Sequence, residues 1–534
     1  MTTHHQRRAR IILAAALTSL TLAACGADAD GGVAAASASQ IDTSTVKTKD
    51  GAVRGAAVPG GYAFLGLPYA APPTGRLRWR APERADRWRG VRDATAFGPS
   101  CPQPETPFAP PGPMSEDCLF LNVYTPALSN GRPAKRPVLV WIHGGGLVQD
   151  GARNYDPTQL AAEGTVVVTV NYRLGALGFL AHPALASKPG GPSGNYGLMD
   201  QQAALRWVQR NIRKFGGDPK NVTIAGQSAG GLSVLAHLVS NDSRRLFHRA
   251  IVQSGSFAMT QLPLGSAEAF GQSFASALGC ADQNAECLRT KPVDALVSNF
   301  PPAAIPGVVD GRVLKESIGT ALAAGRFARV PILNGMNHDE ELIFVAGLHL
   351  AVSGGAFVGV PDVTVANYEE VIALTMGVSA TRAAEIAAEY PVGAYPAPFV
   401  ALSTLLSDAN FACTARQQNV WTSARAPTFA YQFDDDSAPS RYGELPVATH
   451  TSELPYLFEL PNAPLQEPLN TDQEQLAAKM RAAWASFAAT GDPSTGAVAW
   501  PSYNVAEQGL SLVTPTPQLD TDFASRHHCS FWAA

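Results

Sequence analysis

The chain has 534 residues, of which 46% are hydrophobic and only 16% charged, enough apolar material for a large core. Its formal net charge of −4 gives no basic footprint for nucleic acid, and no block of like charge reads as an interaction tail. Length alone allows one large α/β domain or several ordinary ones.

The first stretch reads as a targeting segment. Arg7, Arg8 and Arg10 form a positive n-region, and Ile11 to Ala24 is an apolar run too short to span comfortably as a mature helix. It ends Leu22-Ala-Ala-Cys25, which resembles the lipobox of bacterial lipoproteins. The expectation is a lipoprotein-type signal peptide over 1–24, with Cys25 acylated. The protein is then exported, bacterial, and either lipid-anchored at the cell membrane or extracellular; an ordinary signal cut near Ala24 is the alternative. Residues 25–44 read as a flexible tether, since Gly26 to Gln40 is mostly Ala, Ser, Gly and Asp. Residues 45–534 are left for a catalytic domain. Setting Cys25 aside leaves six of the seven cysteines: Cys101, Cys118, Cys280, Cys287, Cys413 and Cys529. An oxidising compartment makes three disulfides plausible, but spacing does not fix the pairing.

The predicted elements then run in order. Val46-Lys-Thr-Lys49, Ala52-Val-Arg-Gly55 and Tyr62-Ala-Phe-Leu65 predict short strands of an antiparallel N-terminal sheet. The six prolines between Cys101 and Cys118 make that stretch a loop. Leu119–Val123 predicts a strand. Val138–Ile142 predicts a buried central strand feeding His143-Gly-Gly-Gly146, where uncovered peptide N–H groups suit an oxyanion site. Another buried strand lies within 164–172. A helix over Leu198–Phe215 stops at Gly216-Gly-Asp-Pro219.

Val222–Ala225 is a short strand, followed by Gly226-Gln-Ser-Ala-Gly230 and an apolar, helix-compatible run. G-x-S-x-G is a weak signal alone in a chain with 48 glycines. Between a strand and a helix it predicts a nucleophile elbow carrying Ser228. Arg249–Gln253 is the next strand. Residues 257–325 read as helix and loop. Val330–Gly335 predicts a strand leading into Met336-Asn-His-Asp-Glu-Glu341, and Asp339, Glu340 and Glu341 are all candidate acids on spacing. Residues 360–425 read as helical, and Thr428–Phe433 as the last clear strand. Asp472–Ala489 predicts an amphipathic helix with Leu476, Met480, Trp484 and Phe487 inward.

Strands alternating with helices predict a mostly parallel sheet, with the active site at the carboxyl ends of its strands. Gly144–Gly146 and Ser228 fall there. A hydrolase of this kind orders its triad Ser, acid, His. After Glu341 the chain offers His349, His450, His527 and His528. His349 lies in an apolar run and reads as packed; His527 and His528, beside Cys529, read as surface. His450 is the candidate base. No C-x-x-C or His/Cys cluster suggests a metal site, and the chemistry needs no cofactor.

Phe64-Leu-Gly-Leu-Pro-Tyr-Ala70, Glu116-Asp-Cys-Leu-Phe-Leu-Asn-Val-Tyr-Thr-Pro126, Gly144-Gly-Gly146, Asn171-Tyr-Arg-Leu174, Asp200-Gln201, Phe215-Gly-Gly-Asp-Pro219 and the elbow together resemble the type B carboxylesterases. This likeness runs from about Val46 to Trp532. It implies an α/β-hydrolase fold, with a mostly parallel sheet flanked by helices. It implies Glu340 as the acid, His450 as the base, and the N–H groups of Gly145, Gly146 and Ala229 as oxyanion donors. It implies disulfides Cys101–Cys118 and Cys280–Cys287, with Cys413–Cys529 less uniform in the family. The sequence departs at Gln227, where Glu is usual, and at Glu341, where Gly is usual. It also lacks tryptophan in the Cys101–Cys118 loop, which argues against a choline-stacking site. The expected function is a serine carboxylic-ester hydrolase working through an acyl-enzyme on small to medium esters. The expected partners are small-molecule substrates, with no nucleic acid and no membrane contact beyond the lipid anchor. The alternatives are a lipase or polyester hydrolase on insoluble substrate, or a non-catalytic binding protein of the same fold.

Overall fold

The computed structural model describes residues 44–533, apart from 106–109, 127, 129–133, 187, 189, 302–306, 354–355, 440–446 and 464–466. The predicted signal peptide, Cys25 and the tether up to residue 43 lie outside the described residues. What is described belongs to one compact unit, Asp42–Ala534.

An 11-stranded sheet organises it. In chain order its strands are β1 (Ala56–Val58), β2 (Gly61–Pro68), β3 (Phe120–Thr125), β4 (Arg136–Ile142), β5 (Val166–Val170), β6 (Gly217–Gln227), β7 (Arg249–Gln253), β8 (Ile332–Asn337), β9 (Thr428–Phe433), β10 (Gly509–Leu512) and β11 (Gln518–Asp520). Across the sheet they lie β11-β10-β9-β8-β7-β6-β4-β5-β3-β2-β1. From β5 to β10 every neighbouring pair is parallel. The antiparallel strands β1 to β3 close one edge and β11 the other.

The continuous apolar runs of β4 and β5 are explained by burial on both faces. Alternate side chains enter different cores, as a period of two requires. Val138, Val140 and Ile142 pack with Leu205, Val208, Leu232 and Leu235 on one side. Leu139 and Trp141 pack with Leu476, Met480, Trp484 and Phe487 on the other. Those four residues lie on the long helix Thr471–Thr490, inward as predicted, and Asn470 and Gln473 start that helix with a reciprocal capping box.

Several expectations change in detail. The small N-terminal sheet is mixed: Thr45–Lys47 pairs antiparallel with Ala52–Arg54, which runs parallel to Val91–Asp93. The Tyr62 stretch instead joins the main sheet as β2. The predicted 198–215 helix is α-helical over Tyr196–Asn211 and tightens to a 3₁₀ turn over Ile212–Phe215. Thr428–Phe433 is not the last strand, because β10 and β11 follow it. Both are short, and the sheet edge supplies the pairing that their own sequence does not advertise.

Cys101–Cys118, Cys280–Cys287 and Cys413–Cys529 are all bonded, which is the pairing the resemblance implied. Among the described residues no single helix is long and apolar enough to cross a membrane.

Candidate active site

Ser228 sits between β6 and the helix Ala229–Val239, at φ 57° and ψ −126°. That is a costly backbone for a serine, and it persists because its surroundings over-determine it. The Ser228 N–H donates to the Gln253 carbonyl at 2.8 Å, and its own carbonyl accepts from Leu232 at 2.9 Å. The elbow helix passes directly over the end of β4. A Cβ on Gly230 would stand 2.0 Å from the Ile142 carbonyl oxygen, so only glycine fits there. The packing that demands glycine also presses the serine against the start of the next loop.

That loop is Gly144–Gly151. Gly145 and Gly146 have φ of 84° and 63°, and Leu147 and Asp150 also lie in the left-handed region at 63° and 84°. The Gly145 carbonyl accepts from Val148 and Gln149, both at 3.0 Å. Among the described residues the amide nitrogens of Gly145, Gly146 and Ala229 have no hydrogen-bond partner. Backbone N–H groups without partners, at a helix N-terminus and in a glycine loop, are of the kind that can stabilise negative charge. His143 is buried behind them, stacked on Tyr172 with ring centroids 4.4 Å apart, and the Tyr172 hydroxyl donates to the His143 carbonyl at 2.9 Å. Burial lowers the His143 pKa, with Asp150 opposing the shift.

His450 is 4% exposed and lies between the Phe344 and Phe411 rings, with centroids at 5.0 and 5.6 Å. Its Nδ1 hydrogen-bonds Glu340 Oε2. The other Glu340 oxygen accepts from the Asn337 N–H at 2.8 Å. A bridge between Asp339 and Thr449 brings the acid loop alongside the histidine loop. The three acids left open by spacing are thereby separated. Asp339 turns to His338, 3.2 Å away. Glu341 turns to the Val352 N–H, 3.1 Å from each carboxylate oxygen. Only Glu340 reaches His450.

His450 Nε2 lies 3.2 Å from the Gln227 amide nitrogen, next to the serine. With Nδ1–H donating to Glu340, Nε2 carries the lone pair and accepts from Gln227.

The other histidines depart from expectation. His349 is not packed: its side chain is 65% exposed, on a left-handed residue before a β-hairpin. His527 is not at the surface, being 2% exposed with its ring on Asp408 and Gln432. His528 is partly buried against Glu389. The fold drives the chain end inward, and an apolar or polar neighbourhood in sequence does not report that.

A supporting chain of hydrogen bonds was not foreseen. Trp484 Nε1 donates to Gln253 at 3.0 Å, Gln253 donates to Glu453 at 3.1 Å, and Asn337 donates to the other Glu453 oxygen at 2.8 Å. Burial raises the Glu453 pKa, reinforced by the charge of Glu340 and opposed by the Asn337 hydrogen bond. Gln253 ends β7 next to the elbow strand, so its place at a strand's carboxyl end was the available signal.

The sheet order and the strand-turn-helix elbow at the end of β6 are those of an α/β-hydrolase fold. The Carboxylesterase family matches over residues 42–532, and the chain belongs to that family. It is a serine carboxylic-ester hydrolase. It is 35% identical over 532 residues to the cocaine esterase of Homo sapiens, covering 95% of this chain and 92% of that protein. It is 35% identical over 482 residues to the para-nitrobenzyl esterase of Bacillus subtilis (strain 168), covering 86% and 92%. It is likewise 35% identical over 500 residues to the acylcarnitine hydrolase of Mus musculus, covering 89% and 86%.

Proposed function

We propose that Ser228 is the nucleophile, His450 the base and Glu340 the orienting acid, with oxyanion donors on Gly145, Gly146 and Ala229. The observation that carries this reading is the His450–Glu340 contact across 110 residues, at the mouth of a strained serine elbow. His450 Nε2 exchanges the Gln227 N–H for the Ser228 hydroxyl and accepts its proton as Oγ attacks the ester carbonyl. Glu340 holds the tautomer and stabilises the imidazolium. The three N–H groups stabilise the tetrahedral oxyanion, each worth about 3 kcal/mol. His450 then protonates the leaving alcohol, and water repeats the cycle on the acyl-enzyme.

The substrates in this reading are small to medium carboxylic esters, the class to which para-nitrobenzyl esters belong. Cys25 is acylated after removal of 1–24, and the tether places a catalytic domain of residues 45–534 outside the bacterial cell membrane. Three disulfides support an oxidising compartment. Hydrolysis of a short p-nitrophenyl ester by residues 41–534 tests the site. Ser228→Ala is expected to lower kcat at least about 10⁴-fold; equal turnover in both proteins would refute the assignment.

A further inference from the structure

The loop that carries Gly145 and Gly146 enters the left-handed region at four residues, and at two of them, Leu147 and Asp150, a side chain makes that backbone strained. Such a backbone holds only where outside contacts fix it. Part of the support is internal. One Asp150 carboxylate oxygen accepts from the Gly151 N–H and Asn154 Nδ2, both at 2.7 Å, and the other accepts from the Tyr155 hydroxyl at 2.6 Å. The rest comes from a residue far away in sequence. The Gln103 side chain lies against the Asp150 backbone as a strand partner would: Oε1 accepts from the Asp150 N–H at 2.7 Å, and Nε2 donates to the Asp150 carbonyl at 2.9 Å. Gln103 is 4% exposed, and its own loop is closed by Cys101–Cys118. The contact continues to the glycines. A Cβ on Gly145 would lie 2.9 Å from the Asp150 Cβ and 2.2 Å from the Gln149 carbonyl oxygen, so the two ends of the loop pass close together, and the Gly145 carbonyl accepts from the Val148 and Gln149 N–H groups, both at 3.0 Å, just before Asp150.

We propose that Gln103 is a positioning residue for catalysis: through its paired hydrogen bonds to Asp150 it fixes the direction of the Gly145 and Gly146 N–H groups. This rests on reading those N–H groups as the oxyanion donors. Gln103 touches neither substrate nor reacting atoms, so its loss acts on the transition state and leaves ground-state binding alone.

The test compares the parent, Gln103→Met, Gln103→Glu and Ser228→Ala. Methionine keeps the volume and removes both hydrogen bonds to Asp150, together with the one Nε2 donates to the Cys101 carbonyl at 3.1 Å; glutamate keeps the acceptor for the Asp150 N–H. Each protein is assayed on a p-nitrophenyl ester and titrated with an alkyl trifluoromethyl ketone. Ser228 Oγ adds to the ketone carbon, the C=O pair becomes an alkoxide in the hole, and the serine proton passes to His450. Gln103→Met is expected to lower kcat by about tenfold or more with KM within about twofold, and to weaken the ketone by the same factor as kcat. Gln103→Glu is expected to fall between parent and Gln103→Met. Unchanged kcat and ketone affinity would overturn the proposal, as would a loss confined to melting temperature or KM. If Gln103→Met does not fold, the kcat-to-ketone parallel in Gln103→Glu decides in the same way. Retained turnover in Ser228→Ala would overturn the site reading beneath it, whereas a dead Ser228→Ala beside an unaffected Gln103→Met would overturn only the role of Gln103.

Discussion

Burial pushes the Glu341 carboxyl up from its ordinary 4.5 to about 8, with the Glu340 charge adding to the shift and the Val352 N–H opposing it. Burial therefore favours the neutral form of the Glu341 carboxyl at neutral pH. The folded state binds this proton more tightly than the unfolded chain does. Its contribution to stability is greatest at low pH and is lost as pH rises from 4.5 through about 8, at about 1.4 kcal/mol per unit. Glu341→Gln removes the titration. Its stability relative to the parent is expected to climb over that window, while kcat/KM at neutral pH stays within about twofold. Denaturant unfolding at several pH values checks this, and a constant difference would show that Glu341 is ionised when folded. The presence of an acid near position 340 was legible in the sequence. Which of three consecutive acids meets His450 depends on side-chain directions set by the Asp339–Thr449 bridge, and spacing holds no trace of that.

At the scale of elements, the elbow is a strand and a helix forced into contact. Gly230→Ala would place a methyl 2.0 Å from the Ile142 carbonyl and 2.8 Å from that of His143. The helix must retreat, carrying Ser228 with it. The expected result is a drop in kcat/KM of at least about a hundredfold and a loss of roughly 1–3 kcal/mol of stability. Soluble Gly230→Ala protein with parental turnover would show that the close approach is dispensable. The glycines were readable because a local motif carries them. The β-branched run predicts a strand over Val222–Ala225, and the strand runs Gly217–Gln227, since pairing with β4 extends it into residues with little strand preference of their own. The same effect hid β10 and β11.

Across the whole molecule, Cys413–Cys529 ties the last helix back to the body over 116 residues of sequence, beside buried His527. Replacing both cysteines with serine is expected to cost about 2–5 kcal/mol. Cys413 Sγ meets the His527 carbonyl at 3.3 Å and not Ser228, His450 or Glu340, so kcat/KM is expected to stay within about twofold. Guanidinium unfolding followed by ester hydrolysis in the same samples measures both. An equal midpoint in the two proteins would mean that the chain end is held by its non-covalent contacts, among them His527 on Asp408 and Gln432, His528 on Glu389 and Trp532 on the Tyr390 hydroxyl.

The sequence by itself determined the alternation of strands and helices, the elbow, the glycine loop and the order of serine, acid and histidine. These are local patterns: periodic burial, tight turns and short motifs are properties of neighbouring residues. Spacing left three acids open and the resemblance implied Glu340; the tertiary structure shows the Glu340–His450 contact itself, and it alone decided that Gln227 meets the other imidazole nitrogen and that His527 is buried while His349 is exposed. It alone joined Trp484, Gln253, Glu453 and Asn337 behind the site, and set Gln103 against Asp150. Most of those contacts join residues tens to hundreds of positions apart, and their geometry follows from how the sheet and its loops pack.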